Sequence, residues 1–354
     1  MMKDIKIRNY REHLIKESCT IKEALIKLDL LASDSILFIV DINDALVGSL
    51  TDGDIRRALL KGTTLNDLVI TIIQKNPKYI NASEVDVSKI ISYRQLGFKI
   101  LPVINQESKV VDVLNFRNRK SYLPVDAVIM AGGRGTRLLP LTEKVPKPLL
   151  EIGDKAIIEH NMERLYQSGI DKFWISVGYL GEKIKNKIGF SGSGNSKIEY
   201  ILEENPLGTI GAVSKIINFR HNHILITNSD ILTNLDYESF YLDFVEKDAD
   251  MSIVSIPYKI DIPYAVLKTQ DYLVNGLEEK PTYTYFSNAG IYLIKKSYLD
   301  LIPHNKHFDA TELIDCLIRN NKKVISYEFF NYWLDIGKTD DFEKAQRDLQ
   351  SIQF

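Results

Sequence analysis

The chain has 354 residues, 45 Lys+Arg against 47 Asp+Glu for a formal net charge of −2, with 45% hydrophobic and 26% charged residues. This is globular composition, so disorder is excluded, and the length leaves room for two or three domains, each with a core of its own. Balanced charge offers no broad basic face to nucleic acid and no basic amphipathic stretch to a membrane surface, so an anionic ligand has to be held locally.

In chain order, the opening MMKDIKIRNYREHLIK lacks the unbroken apolar run of a secretory signal, and no later stretch approaches a membrane span. TIKEALIKLDLL at 20–31 has helical apolar spacing, SILFIVD is an apolar strand, and ALVGSLTDGDIRRALLKG turns from strand into helix. The same order recurs about sixty residues later, in SEVDVSKIISYRQLGF, KILPVIN and SKVVDVLNFRNRK, which points to a duplicated unit whose halves pack on each other. A polar, basic run, NFRNRKSYLP, ends at Pro124 and marks a boundary: 1–118 as the paired units, 119–124 as linker, 125–354 as a second domain.

From residue 125 onward, strands such as VDAVIM, KFWISVGYL, HILITNSD and MSIVSIPY alternate with helical stretches. That alternation predicts an α/β domain with a mostly parallel sheet covered on both faces and ligands at the carboxyl ends of the strands. The last segment, KTDDFEKAQRDLQSIQF, reads as a docking helix with Thr339 as N-cap and Phe342, Ala345, Leu349 and Ile352 as its apolar stripe. Its partner surface is open: this domain, the N-terminal one or another subunit. Cys19 and Cys316 are too far apart for a disulfide framework; each reads as a buried small residue, and a cytoplasmic location is expected. His221 and His223, lacking neighbouring Cys or carboxylate spacing, read as solvated loop residues rather than metal ligands.

The chemistry concentrates in AGGRGTRLLPLTEKVPKPLL, residues 131–150, directly after the strand VDAVIM. The run matches neither the GxxxxGK[ST] phosphate loop nor the GxGxxG dinucleotide fingerprint. It does place Gly132, Gly133 and Gly135 in a turn whose N–H groups can face a polyphosphate, adds the charge of Arg137, and brackets Lys147 between Pro146 and Pro148 on a stiff backbone.

Here the sequence resembles the sugar-1-phosphate nucleotidyltransferases, whose signature is similar to GGRGTRLLPLTEKVPKP. The likeness continues through EENPLGTIGAV at 203–213, NSD at 228–230, EKP at 279–281, NAGIY at 288–292 and YWLDIGKTDDFEKA at 332–345, and covers nearly all of residues 125–354. It implies a Rossmann-like domain with a mixed, mostly parallel sheet, in which a sugar 1-phosphate attacks the α-phosphorus of a nucleoside triphosphate and pyrophosphate leaves. Such a transfer brings an anion onto a polyanion, so in-line positioning and cations carry the catalysis.

By motif position the resemblance gives catalytic roles to Arg137 and Lys147, nucleotide contacts to Ala131, Gly132, Gly133, Gly135, Thr136, Glu203 and Gly208, and sugar-phosphate contacts to Lys280 and Asn288. Asp230 and Asp335 resemble the carboxylates that hold Mg²⁺. Glu203 lies where family members read the base, and one carboxylate can accept both adjacent donors of guanine, which favours GTP; the bland alternative is a glutamate paired with a lysine or facing water. Ser229 and Ala156 depart from the family's usual Gly and Pro.

GSLTDGDIRRAL at 48–59 resembles the end of a CBS module, an α+β unit that works in pairs and binds adenine nucleotides. The likeness places Thr51 and Asp54 against phosphate or ribose of a regulatory adenine nucleotide; the second unit has Asn115 and Asn118 there instead. A CBS pair before such a transferase resembles the subgroup that activates glucosamine 1-phosphate in legionaminic acid biosynthesis, with mannose and heptose 1-phosphates as alternative acceptors. The expected partners are a nucleoside triphosphate, a sugar 1-phosphate and a second copy of the chain, with neither nucleic acid nor membrane. A nucleotide-sensing subunit without catalysis is the competing reading.

Overall fold

The computed structural model describes residues 9–190 and 196–352, which form two compact units. Within the described residues, the first comprises 9–124 with 165–171 and Ser196, and the second comprises 125–164, 172–190 and 197–352.

The first unit runs β1 (Leu14–Lys16), α1 (Ile21–Leu31), β2 (Ile36–Val40), β3 (Leu46–Thr51), α2 (Asp52–Leu59), β4 (Gln74–Lys75), β5 (Ile80–Asn81), α3 (Val87–Gln95), β6 (Ile100–Ile104) and β7 (Val110–Asn115). Helix α1 starts where Thr20 and Glu23 cap each other's backbone N–H, and it buries Ile21, Ala24, Leu28 and Leu31, one face at helical spacing. Strands β1 and β2 pair parallel and β2 and β3 antiparallel; β5, β6 and β7 repeat that pattern. The two halves differ after their last strand. β3 feeds α2, whereas residues 116–118 after β7 form a turn.

Residues 119–124, expected as a linker from their polarity, are packed. Ser121, Tyr122 and Leu123 are buried, and Arg119 is 5% exposed, ion-paired with Asp112 at 2.8 Å and set over the rings of Tyr122 and Tyr166. A guanidinium stacked on two aromatic faces can be buried, which the local polarity did not suggest.

The second unit contains β8 (Val125–Ala131), the short pair β9 (Glu151–Ile152) and β10 (Lys155–Ala156), α4 (Ile157–Gln167), β11 (Lys172–Val177), α5 (Gly181–Ile188), β12 (Lys197–Leu202), β13 (His223–Asn228), β14 (Ile231–Thr233) and α6 (Tyr237–Glu246). There follow β15 (Met251–Asp261), β16 (Val266–Gln270), β17 (Leu273–Glu278), β18 (Thr282–Lys295), α7 (Ala310–Arg319), β19 (Val324–Glu328), β20 (Trp333–Asp335) and α8 (Thr339–Asp348). The main sheet has the order β12-β11-β8-β13-β18-β15-β19 and is mixed: the pairs within β12-β11-β8-β13 and the pair β15-β19 are parallel, while β18 runs antiparallel to both neighbours.

Alternation along β13 shows how both faces are covered. Ile224 and Ile226 share a buried cluster with Leu313 and Leu317 of α7, while His223 on the other face packs edge-on against Phe244 of α6. The histidines are therefore not solvated loop residues. His221 bonds through Nδ1 to the fully buried Asp126 at 2.8 Å, and burial pushes the His223 imidazole down. Cys19 and Cys316 are half-buried and free.

Helix α8 begins one residue earlier than expected: Lys338 is the N-cap and Thr339 the first helical residue, and the Asp341 carboxylate accepts from the Lys338 N–H at 2.9 Å. Ala345, with Phe342 and Leu349, packs into a cluster with Leu138, Ile152, Ile157, Leu334 and Ile336, so the helix docks on its own domain. Among the described residues no helix is long and apolar enough to cross a membrane.

Candidate active site

The site forms at the carboxyl ends of β8 and β13, as a parallel sheet requires. β8 is buried along nearly its whole length and ends at Ala131, itself 2% exposed, which delivers the chain into the glycine turn. A Cβ on Gly132 would stand 2.3 Å from Glu203 Oε1; Gly135 has φ 62°, and its Cβ would stand 3.0 Å from Lys147 Cβ. Glycine is therefore favoured at 135 by backbone conformation, while a side chain at 132 would have to displace the Glu203 carboxylate. Gly133 has no neighbour in that sense and faces open space.

Lys147 follows Pro146 in a short 3-10 turn, Lys147–Leu149, closed by the Leu150 N–H on the Lys147 carbonyl at 3.1 Å. Its ammonium is hydrogen-bonded to Asp230 Oδ2 and stands 3.7 Å from Asp335 Oδ1.

The two aspartates, far apart in sequence, meet through a small antiparallel ladder. β14 starts just after Asp230 and pairs with β20 so that Ile231 lies opposite Asp335, and the Ile336 N–H donates to the Asp230 carbonyl at 3.0 Å. The Trp333 indole N–H, donating to the Ala289 carbonyl at 3.0 Å, ties β20 to β18. Burial and then the neighbouring Asp230 push the Asp335 carboxyl above the ordinary carboxylate range, against the pull of Lys147 and Arg137. Arg137 is exposed on the same side: a Cβ on Gly337 would lie 3.4 Å from its Nη1 and 3.5 Å from Asp335 Oδ2.

These groups border a cleft of about 370 Å³ whose wall includes Gly132, Gly133, Gly135, Thr136, Arg137, Lys147, Glu203, Gly208 and Asp230. Most of the nucleotide positions named from sequence thus come together; Ala131 lies behind the wall, and Asp335 reaches the centre from β20.

Glu203 is placed in the wall but already engaged. Ser176 Oγ donates to its Oε1, and the Leu207 N–H donates to its Oε2 at 3.2 Å. Gly208 has φ 78°, and a Cβ there would lie 2.7 Å from the Phe308 carbonyl. Its glycine is thus a backbone requirement of the 207–209 turn and is not by itself evidence of the expected nucleotide contact.

Lys280 and Asn288 are not in the wall. Lys280 is exposed at φ 45° in the turn after β17, and Asn288 is exposed on β18 with its Oδ1 accepting from the Gly290 N–H at 2.9 Å. Neighbours that the motifs did not single out are present instead: Asn228, Thr209 and His307. His307 lies with Asp309 and Glu312, their ligand atoms within 4.8 Å of one another, but Asp309 and Glu312 cap the start of α7. His307 belongs to no motif, so only the approach of residues 306–308 to Leu207 and Gly211 reveals it.

Thr51 and Asp54 form a capping box at the start of α2. Asp54 is 7% exposed; its Oδ2 accepts from the Thr51 N–H and hydroxyl at 2.9 and 2.6 Å, and its Oδ1 from Arg57 and Gln74 at 2.6 and 2.9 Å. Both oxygens are satisfied within the unit. The sequence pattern T-x-x-D serves equally well as a helix start, and here the structure uses it so.

The Nucleotidyl transferase family profile matches residues 126–352. The chain belongs to that family. It is 30% identical over 233 residues to a mannose-1-phosphate guanylyltransferase of Mycobacterium tuberculosis, a match covering 64% of each chain, so it spans about two thirds of that relative's length. It is 30% identical to the D-glycero-alpha-D-manno-heptose 1-phosphate guanylyltransferase of Aneurinibacillus thermoaerophilus, covering 64% of this chain and 99% of the other. Among solved structures, HddC from Yersinia pseudotuberculosis aligns with a TM-score of 0.51 at 30% identity, over 63% of this chain and 99% of that one. The same protein complexed with GMP-PN aligns with a TM-score of 0.50 at 29% identity, over 63% and 99%. The α/β architecture of the second unit is thus the nucleotidyltransferase fold. The family match leaves residues 9–124 of the first unit outside it.

Proposed function

We propose that this nucleotidyl transferase moves GMP from GTP to a sugar 1-phosphate and releases pyrophosphate. The observation that carries the reading is the convergence of Lys147, Asp230 and Asp335 beside a glycine turn with one residue, Gly133, open to a ligand. Preference for guanine rests on the guanylyltransferase names of two relatives and on the relative complexed with GMP-PN.

The carboxylates suit a hard divalent cation such as Mg²⁺. Asp230 Oδ1 and Asp335 Oδ1 are buried, and neither has a hydrogen-bond partner among the described residues. When bound there, Mg²⁺ would supply positive charge for phosphate oxygens that gain charge in the transfer. The chain's own groups do the rest. The N–H groups of the glycine turn receive the triphosphate, Arg137 balances the charge of the departing pyrophosphate from the cleft rim, and Lys147 holds a phosphate near the carboxylates from a backbone restrained by two prolines. No side chain has to act as nucleophile, since the sugar phosphate is one.

For the acceptor, the architecture resembles the subgroup acting on glucosamine 1-phosphate, while relatives carry mannose- and heptose-phosphate names. Lys280 stands as the sugar-phosphate group of this proposal only on its motif, EKP. The CBS reading of the first unit rests on the shared strand order of its halves, and a nucleotide at Thr51 and Asp54 would have to compete with the hydrogen bond between them. A matrix of nucleoside triphosphates against sugar 1-phosphates, read by pyrophosphate release, tests the whole. GTP-dependent release with at least one acceptor is expected; silence throughout the matrix would favour the sensing subunit.

A further inference from the structure

The distal halves of β15 and β18, continued by the β16–β17 hairpin, form an arm with unpartnered apolar side chains. In the β15–β18 ladder Tyr258 lies opposite Tyr285, with Ile260 two residues along on the same face. In the hairpin Leu267 lies opposite Leu277 and Val274 opposite Thr269, again on one face. These six apolar residues, Tyr258, Ile260, Leu267, Val274, Leu277 and Tyr285, are each between 43% and 59% exposed. Among the described residues β16 pairs only with β17 and β17 only with β16, so the hairpin also presents unpaired strand edges.

We propose that this arm is the surface through which two copies of the chain associate. Half-exposed side chains of this size offer roughly 600 Å² per copy, so two arms meeting would remove about 1,200 Å² from water, the lower end of a stable interface before polar atoms are counted. That is also as large as the largest apolar patch that ordinary monomers expose. The face itself has no dominant sign: Lys259, Asp261, Lys268 and Glu278 alternate onto the reverse side of the strands, where Lys268 is paired with Glu278. A patch without a dominant sign does not repel its own copy and has no charge with which to select an acidic or basic partner. An isologous pairing about a two-fold axis satisfies both the apolar faces and the free edges.

The test uses the full-length chain with Leu267→Lys combined with Leu277→Glu, which replaces the stripe but leaves opposite charges across the hairpin. Sedimentation of the wild type over a dilution series should show an assembly whose mass the double variant halves, with unchanged circular dichroism. Amide exchange across 266–278 should slow with concentration in the wild type alone. A monomeric wild type, or an oligomer whose mass and exchange the variant leaves unaltered, overturns the proposal. So does a monomer that co-floats with phosphatidylcholine vesicles, since that would assign the face to lipid. Each of these outcomes is independent of whether GTP is turned over.

Discussion

The backbone N–H of Ile336 donates to the carbonyl of Asp230 at 3.0 Å, and through that bond the end of β20 is locked to the turn that follows β13. Asp335 therefore reaches Asp230 through main-chain pairing rather than through side-chain reach alone. The ladder is short, so the fastening of β20 to β18 by Trp333 matters. Trp333→Phe, which loses the indole donor, should cost about 1 kcal/mol of stability. It should also weaken Mn²⁺ binding measured by electron paramagnetic resonance, because Asp335 is less well placed. Unchanged Mn²⁺ affinity would show that β20 is held by its other contacts.

Lys147 is the cation between two half-buried carboxylates, each with one buried oxygen. Lys147→Met should destabilise the metal-free protein by about 2 kcal/mol at neutral pH, since removing one partner leaves buried charge uncompensated. Added divalent ion or lower pH should narrow the gap to the wild type, by neutralising the carboxylates in another way. Melting curves with and without Mg²⁺ check this; a gap indifferent to both would mean that the lysine's role is packing alone.

Asp335 titrates above the ordinary carboxylate range because of burial and Asp230. The folded state then holds this proton more tightly than the unfolded one, so folding stability falls as pH rises from the ordinary carboxylate value through the raised one. Asp335→Asn removes that penalty. The metal-free variant should melt at or above the wild-type temperature at neutral pH, and the difference should shrink in acid, while turnover is lost. A lower melting temperature at neutral pH would contradict the electrostatic account of this site.

Asp54 behaves oppositely. Burial pushes its carboxyl up, but hydrogen bonds from Thr51, Gln74 and Arg57 outweigh burial and hold it below the usual range. Its stabilisation is complete above the unfolded value and is lost as pH falls through the lower folded one. Asp54→Ala should destabilise the first unit by about 2 kcal/mol, since it deprives buried donors of their acceptor. The loss should be visible in thermal unfolding, with catalysis intact at low temperature.

The second unit was readable because its signals are local or repeated: apolar strands alternating with helices, and a glycine turn directly after β8. The convergence of Asp230 and Asp335 needed the family resemblance, since neither residue carries a local sign that β14 and β20 pair. Thr51 and Asp54 show how one spacing serves a helix cap as well as a ligand site: their partners Arg57 and Gln74, the latter from β4, could not be read from that spacing. Arg119 misled for a similar reason, as a basic residue in a polar run gives no hint of the tyrosines it stacks on. Lys280 has the right motif, yet its exposed turn keeps it out of the cleft wall.

The most direct test of the central claim is pyrophosphate release with GTP, Mg²⁺ and an accepted sugar 1-phosphate, comparing the wild type with Asp230→Asn. The account expects the rate to fall by two orders of magnitude or more, about 3 kcal/mol of lost transition-state stabilisation, in a variant that stays folded. Wild-type rates in folded Asp230→Asn would contradict it.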